Sequence, residues 1–379
     1  MRTALICIAA GLLSACGADS PEGAGDATGA STGLRFLRSG DDAPDFSRAT
    51  EARDLRFPAD HGSHPDFQTE WWYFTGNLTA ADERLLGFQL TFFRFAVRPS
   101  GPATRGSEWR SRQVWMAHFA VTDAAGGRFL ARERMAREAL GLAGATGDPL
   151  RVWVKDWSLD ERSTGSGFGL HLEAHDGDVG LTLNLATNDE PVAHGDKGLD
   201  RKGPEPGNAS YYYSLPRLAA SGSVTLDDEE LPVTGSVWMD REWGTSALSE
   251  GTAGWDWFAL QLSNGASLMF YRLRQEDGGT SAFSSGTLMG GDGTVRVLRA
   301  SDVEVSALKE WVSHTTGARY PAAWSLRVPD AGLSLVVEPV LAAQELDLSV
   351  RYWEGAVRAD GAWQGNALHA VGYVELTGY

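Results

Sequence analysis

Short segments in which apolar and polar residues alternate, rich in aromatic and β-branched side chains, recur along most of this 379-residue chain. Trp71–Leu78, Leu86–Phe95, Val114–Thr122, Leu150–Leu159, Phe168–Ala174, Val179–Ala186, Ser221–Leu226, Pro232–Met239 and Trp255–Leu262 are of strand length. So are Ala266–Leu273, Gly286–Met289, Ala323–Val328, Leu333–Pro339, Leu348–Trp353 and Ala370–Leu376. A two-residue period buries one face of a strand and wets the other. Asp123-Ala-Ala-Gly-Gly127, Asp227-Asp228 and Ser263-Asn-Gly265 are turn signals that join such segments as hairpins. A helical period is weak throughout, and Arg132–Leu140 is the best short candidate for a helix. Many short strands at regular spacing predict an all-β sandwich or barrel.

An internal echo divides the body into two halves. Glu70-Trp-Trp-Tyr-Phe74 followed by Gly87–Arg94 resembles Asp256-Trp-Phe258 followed by Ser267–Arg272. Both run acid, Trp, aromatic residue, turn, and an apolar strand closing on Arg. The stretch Thr187–Asn208 is polar and rich in Gly and Pro, which predicts a loop, and the second half is expected to begin near residue 220.

The amino terminus reads as an address. Met1-Arg-Thr3, an apolar run Ala4–Leu13 and Ser14-Ala-Cys16 have the layout of a signal peptide. Leu13-Ser-Ala-Cys16 resembles a bacterial lipobox, which implies cleavage after residue 15, lipidation of Cys16 and a place on the periplasmic face of the outer membrane. Residues 16–55, rich in small and polar residues, are expected to form a flexible tether. The only other cysteine, Cys7, lies within the segment removed, so neither a disulfide nor a thiol nucleophile is expected. Loss of residues 1–15 removes Arg2 and takes the net charge from −17 to −18. That balance argues against nucleic acid and against adhesion to anionic lipid, and suits a neutral or apolar ligand.

Several chemistries lack their signatures. There is no Gly-x-Ser-x-Gly elbow and no phosphate-binding Gly-x-x-x-x-Gly-Lys loop. His171 and His175 are too far apart along a strand to share an ion. His61 and His64 are expected to pair with Asp60 and Asp66 rather than bind metal. No cofactor is expected. The positive signal is aromatic: fourteen Trp, clustered with acids in Glu70-Trp-Trp-Tyr73, Trp238–Trp243 and Trp255-Asp-Trp257, beside Tyr211-Tyr-Tyr213. Trp71, Phe74, Phe92 and Trp324 read as core, whereas Trp238, Trp255 and Trp257 read as the wall of a pocket for an apolar ligand.

Gly235-Ser-Val-Trp-Met-Asp-Arg-Glu-Trp-Gly244 is the centre of that signal. As a strand it sends Ser236, Trp238, Asp240 and Glu242 to one face and Val237, Met239 and Arg241 to the other. Two carboxylates on an apolar face are paired, wet or functional. Pairing with Arg241 or Arg217 would be the structural alternative.

His64–Gly76, Tyr211–Arg217, Trp238–Gly244, Gly254–Phe258 and Gly372–Tyr379 together resemble the AttH-like family. That family is related to the hydroxyneurosporene synthases (carotenoid 1,2-hydratases) and is often labelled "predicted secreted hydrolase". The resemblance runs from about residue 56 to the end and implies two tandem lipocalin-like (calycin-type) antiparallel β-barrel domains with few short helices. With the boundaries above, the domains are expected at 56–219 and 220–379. The hydratase branch implies Asp240 as a proton donor to an alkene, with an isoprenoid-like or lipidic substrate held by Trp238, Glu242, Trp243, Tyr211, Tyr213, Trp255, Trp257, Glu70 and Trp72. Where the hydratases carry a His-x-Trp pair this chain has Tyr211 and Tyr213, and where they carry a Tyr before the acid it has Trp238. A second reading is a non-catalytic carrier of a hydrophobic metabolite, serving ABC-transporter components such as some relatives are encoded beside.

Overall fold

The computed structural model describes residues 45–99, 111–165, 167–245 and 248–379. The expected signal peptide, Cys16 and the tether up to residue 44 lie outside the described residues.

The chain is all β. The first sheet contains β1 (Thr69–Ala80), β2 (Leu85–Ala96), β3 (Gln113–Asp123), β4 (Arg128–Arg137), β5 (Ala143–Gly147), β6 (Leu150–Val154) and β7 (Trp157–Glu161). It continues through β8 (Phe168–Asp176), β9 (Val179–Thr187), the short β10 (Val192–Ala193) and β11 (Leu199–Arg201), β12 (Ala209–Leu226) and β13 (Glu229–Gly244). The second sheet contains β14 (Thr252–Leu262), β15 (Ser267–Gln275), β16 (Ser285–Met289), β17 (Val295–Arg299) and β18 (Glu304–Val312). β19 (Arg319–Val328), β20 (Leu333–Pro339), β21 (Glu345–Asp347), β22 (Arg351–Trp363) and β23 (Asn366–Leu376) complete it. Both sheets are antiparallel and curl into barrel-like domains.

Strand order shows how the two halves correspond. The first sheet runs β4-β3-β2-β1-β13-β12-β9-β8-β7 and on to β5, and the second runs β17-β16-β15-β14-β23-β22-β20-β19-β18. The echo between Glu70 and Asp256 belongs to this correspondence. Glu70 faces Arg94 across β1 and β2, Asp256 faces Arg272 across β14 and β15, and each pair forms a salt bridge, fully buried in the first and partly exposed at Arg272 in the second. A directly opposed acid and base fixes the register of each hairpin.

Three expectations are corrected. The boundary near residue 220 falls inside β12, which pairs with β13 from Ser210 to Leu226, so the first sheet extends to Gly244 and includes Asp240. Arg132–Leu140 lies in β4 and the short 3-10 turn Ala139–Gly141, because β3 offers its edge for pairing from Val114 to Asp123. Residues 45–55, taken as tether, pack on the body: Ala49 is fully buried, Arg53 clasps Asp60 with both nitrogens and Tyr211 Oη donates to Glu51 O at 2.9 Å.

Each domain has its own apolar core, one including Phe74, Phe92 and Leu183 and the other Phe258, Trp324 and Val357. A third cluster, Tyr73, Tyr212 and Trp238 with Trp257, Met269 and Tyr373, joins the two sheets. Polar links reinforce that seam. His194 Nδ1 lies 2.8 Å from Thr287 Oγ1, His118 Nδ1 lies 2.7 Å from Tyr352 Oη, and Gln261 donates to Pro216 O at 2.7 Å. Arg217 also serves it by donating to the carbonyls of Leu262 and Ala266 rather than to either acid of β13.

Candidate active site between the two sheets

A cavity of about 450 Å³ opens at the seam, walled by Trp71, Tyr73, Phe93, Met116, Trp255 and Trp257 among others. Its first polar wall comes from β13. As the alternation requires, Asp240 and Glu242 face the cavity, with Trp238 on the same side packed edge-on against Trp257 at 6.4 Å.

Asp240 is buried and takes three donors. Tyr212 Oη donates to Oδ2, Ser214 Oγ donates to Oδ1, and Trp238 Nε1 donates to Oδ1 at 2.6 Å. Burial raises the carboxyl strongly and the three donors pull it back, while the nearby Glu242 adds a smaller upward push, leaving its pKa at about 7. A carboxylic acid is therefore available at neutral pH. Behind it, His194 Nε2 stands 2.6 Å from Ser214 Oγ. Ser214 spends its proton on Asp240, so His194 must donate through Nε2 and accept the Thr287 hydroxyl at Nδ1. Burial, with the Lys202 ammonium nearby, lowers His194 to about 3, which keeps the imidazole neutral.

Glu242 belongs to a second knot. Ser210 Oγ donates to it at 2.5 Å, and Lys202 Nζ lies 3.2 Å from Glu242 and 2.7 Å from Asp200. Tyr271 Oη donates to Asp200 at 2.8 Å from the second sheet, and Lys202 lies 4.1 Å from the Tyr271 ring. Burial raises Glu242, an effect that Lys202 only partly offsets.

The second sheet supplies two more acids, Glu354 and Glu375, directly opposed across β22 and β23. Glu375 accepts the Trp255 indole N–H at 2.9 Å. By strand order, Glu375 opposite Trp257 corresponds to Glu242 opposite Trp71, and Glu354 takes the place of Tyr212. Burial and mutual repulsion raise both acids.

Of the residues expected at the site from sequence, Asp240, Glu242, Trp255 and Trp257 line the cavity and Trp238 supports the acid. Glu70, Trp72, Tyr211, Tyr213 and Trp243 lie on the opposite faces of their strands. Glu70 is locked between Arg94 and Arg241, the latter lying 3.8 Å over the Trp72 ring. Trp243 stacks on His64 at 3.8 Å and clusters with Tyr211 and Tyr213. Register explains the placement: Tyr73 and Ser214 oppose Asp240 while Trp71 and Tyr212 oppose Glu242, and directly opposed residues share a face. Trp71 is accordingly a wall residue, not core. Sequence reasoning missed Tyr73, His194, Lys202, Tyr212, Ser214, Glu354 and Glu375. No group of three or more His, Cys, Asp or Glu is arranged to hold a metal among the described residues. His64 Nε2 lies 3.1 Å from Asp60 and His61 Nδ1 lies 2.6 Å from Tyr213 Oη.

The AttH-like family profile matches residues 48–379. A crystal structure of an AttH from Nitrosomonas europaea superposes with a TM-score of 0.78 at 34% identity, covering 88% of this chain and all of that one. The kievitone hydratase structure from Nectria haematococca superposes with a TM-score of 0.64 at 16% identity, covering 88% and 98%, a likeness of fold. In sequence, the chain is 24% identical over 213 residues to a kievitone hydratase of Fusarium solani subsp. phaseoli and 22% identical over 222 residues to the dehydratase AsqC of Emericella nidulans. Those matches cover 54% and 55% of this chain, and span only 58% and 60% of the two relatives' lengths.

Proposed function

From the premise that this chain belongs to the AttH-like family, we propose that it adds water to, or removes it from, a carbon–carbon double bond in an apolar small molecule, with Asp240 as the acid. The observation that carries this reading is a buried carboxyl with a pKa of about 7 on the wall of a largely aromatic cavity. Relatives named as a hydratase and a dehydratase support it, since the two reactions are one equilibrium read in opposite directions.

In the hydration direction, Asp240 gives its proton to one alkene carbon. The π bond breaks, a C–H bond forms and the neighbouring carbon becomes cationic. The faces of Trp71, Trp255 and Trp257 shelter that cation. Water then forms the C–O bond and loses its proton, which restores the acid directly or through the surrounding carboxyls. Tyr212, Ser214 and Trp238 hold the carboxylate left after transfer, so charge develops where three donors already point.

The test is mass spectrometry of isoprenoid-like and lipidic alkenes incubated with the wild type and with Asp240→Asn. A gain or loss of one water, reduced about 10²–10⁴-fold by the substitution, supports the reading. Retention of an unchanged ligand would favour a carrier, and full activity of D240N would exclude Asp240 as the acid. We further propose that Cys16 anchors the protein to the cell envelope; incorporation of labelled fatty acid, abolished by Cys16→Ser, is the corresponding test.

A further inference from the structure

The two polar walls of the cavity differ in how well they are satisfied. Asp240 takes three donors, and Glu242 has Ser210 and Lys202. Across the cavity, Glu354 is buried with only the phenols of Tyr73 and Tyr352 beside its carboxyl, and neither makes a well-aligned hydrogen bond to it. Glu375 has the single Trp255 N–H, and neither glutamate forms an ion pair among the described residues. Buried carboxyls elsewhere in this protein are matched: Glu70 has Arg94 and Arg241, and Asp256 has Arg272 and Arg274. A buried pair of carboxyls with no counter-charge, in a protein that gives Glu70 and Asp256 two guanidiniums each, calls for a specific explanation. Glu354, Glu375 and Tyr73 all line the one cavity.

We propose that Glu354 and Glu375, with Tyr73, form a subsite that seats a neutral oxygen-bearing group, an alcohol or phenol, at the polar end of an otherwise apolar ligand. Directly opposed carboxyls cannot both be charged in so dry a place, and burial keeps Glu354 protonated. A protonated carboxyl both donates and accepts, as does a hydroxyl, so the two can satisfy each other in one geometry. A ligand carboxylate is disfavoured, because it would add a charge to a dry space already lined by four carboxyl groups. An ammonium is disfavoured by the protonation of the pair. The walls around this end, Met116, Val350 and Tyr352, accept the apolar remainder. This inference rests on the cavity being the ligand site, as the proposed function holds, and not on Asp240 being an acid.

Equilibrium dialysis of the full chain at neutral pH against naphthalene, 2-naphthol, 2-naphthoate and 2-(aminomethyl)naphthalene tests it. The wild type should bind 2-naphthol about tenfold more tightly than naphthalene, the worth of one good buried hydrogen bond. Glu354→Leu should abolish that preference while binding naphthalene at least as tightly as the wild type, and Glu354→Gln, which still donates and accepts, should keep part of it. Tightest binding of the naphthoate or the amine, or an undiminished naphthol preference in E354L, would overturn the subsite without touching the effect of D240N on turnover. If none of the four probes binds, the cavity is not a ligand site, and the subsite and the proposed function fall together.

Discussion

Trp257, on the second sheet, donates its indole N–H to Tyr212 Oη at 3.1 Å, and Tyr212, on the first, donates its own proton to Asp240. The acid is thus positioned by both domains. With its oxygen fixed by Trp257, the Tyr212 phenol keeps one direction open for its proton, and that direction is Asp240. Burial and the neighbouring carboxylates push the Tyr212 phenol well above its usual range, so it remains a donor at any working pH. Docking of the second domain consequently bears on the chemistry of a residue in the first.

Tyr212→Phe removes a donor that favours the charged form of Asp240, so the Asp240 pKa should rise above about 7. A reaction that needs the protonated acid loses rate as pH rises through that pKa. The alkaline limb of the pH–rate profile should therefore move to higher pH in Y212F, and by a smaller amount in Trp257→Phe, which only loosens the phenol. An unshifted limb in Y212F would mean that the profile reports another group.

Asp240 also carries a stability signature. Its folded pKa of about 7 lies above the ordinary aspartate value of 3.8, so the folded state holds a proton that the unfolded state has lost between those two pH values. Stability from this group is full below about pH 4 and is lost as pH rises towards 7 and beyond. Three pH units amount to a contribution on the order of 4 kcal/mol. D240N, which is neutral throughout, should gain stability relative to the wild type as pH rises across that window. Denaturant unfolding at pH 5 and pH 8 checks the sign.

Much of this arrangement was legible in the chain, and the limits of legibility were those of register. β13 could be oriented because Trp238, Asp240 and Glu242 alternate with Val237, Met239 and Arg241. Tyr211-Tyr-Tyr213 offers no such alternation, since three like residues in a row fit either face. Only the pairing of Tyr212 with Glu242 selects the middle one. Trp71 and Trp72 posed the same ambiguity, which the opposition of Trp71 to Glu242 resolves. The internal repeat extends beyond its hairpin and places Glu375 where Glu242 stands. His194 and Lys202 had no signal, because a Gly- and Pro-rich stretch reads as solvent-exposed loop until its packing against β12 is seen.

Glu70 has a role that its place in an aromatic motif obscured. It is fully buried, bonded by Arg94 and Arg241 and reinforced by Ser63 and the His64 backbone N–H. Burial alone would raise its pKa, and the two guanidiniums more than offset this. Glu70→Gln leaves two buried cations short of their counter-charge and should cost about 3–5 kcal/mol in unfolding free energy. Its stability deficit should shrink at acid pH, where the wild-type carboxylate is itself titrated. If E70Q unfolds like the wild type and instead weakens ligand binding, Glu70 belongs to the site rather than to the frame.

Glu354 should behave in the opposite way. A buried carboxyl with no counter-charge opposes folding, and its neighbour Glu375 adds repulsion. Replacement by Leu exchanges a buried carboxyl that lacks a counter-charge for hydrocarbon of similar size, next to Tyr352 and Val350. Removing the desolvation penalty should stabilise the fold by about 1–3 kcal/mol, most at alkaline pH, where the wild type must ionise the pair. An unfolding midpoint higher in E354L than in the wild type, together with a lost preference for hydroxylated ligands, would identify Glu354 as a residue kept for binding at the expense of stability. A lower midpoint would instead place Glu354 in the structural frame of the second domain.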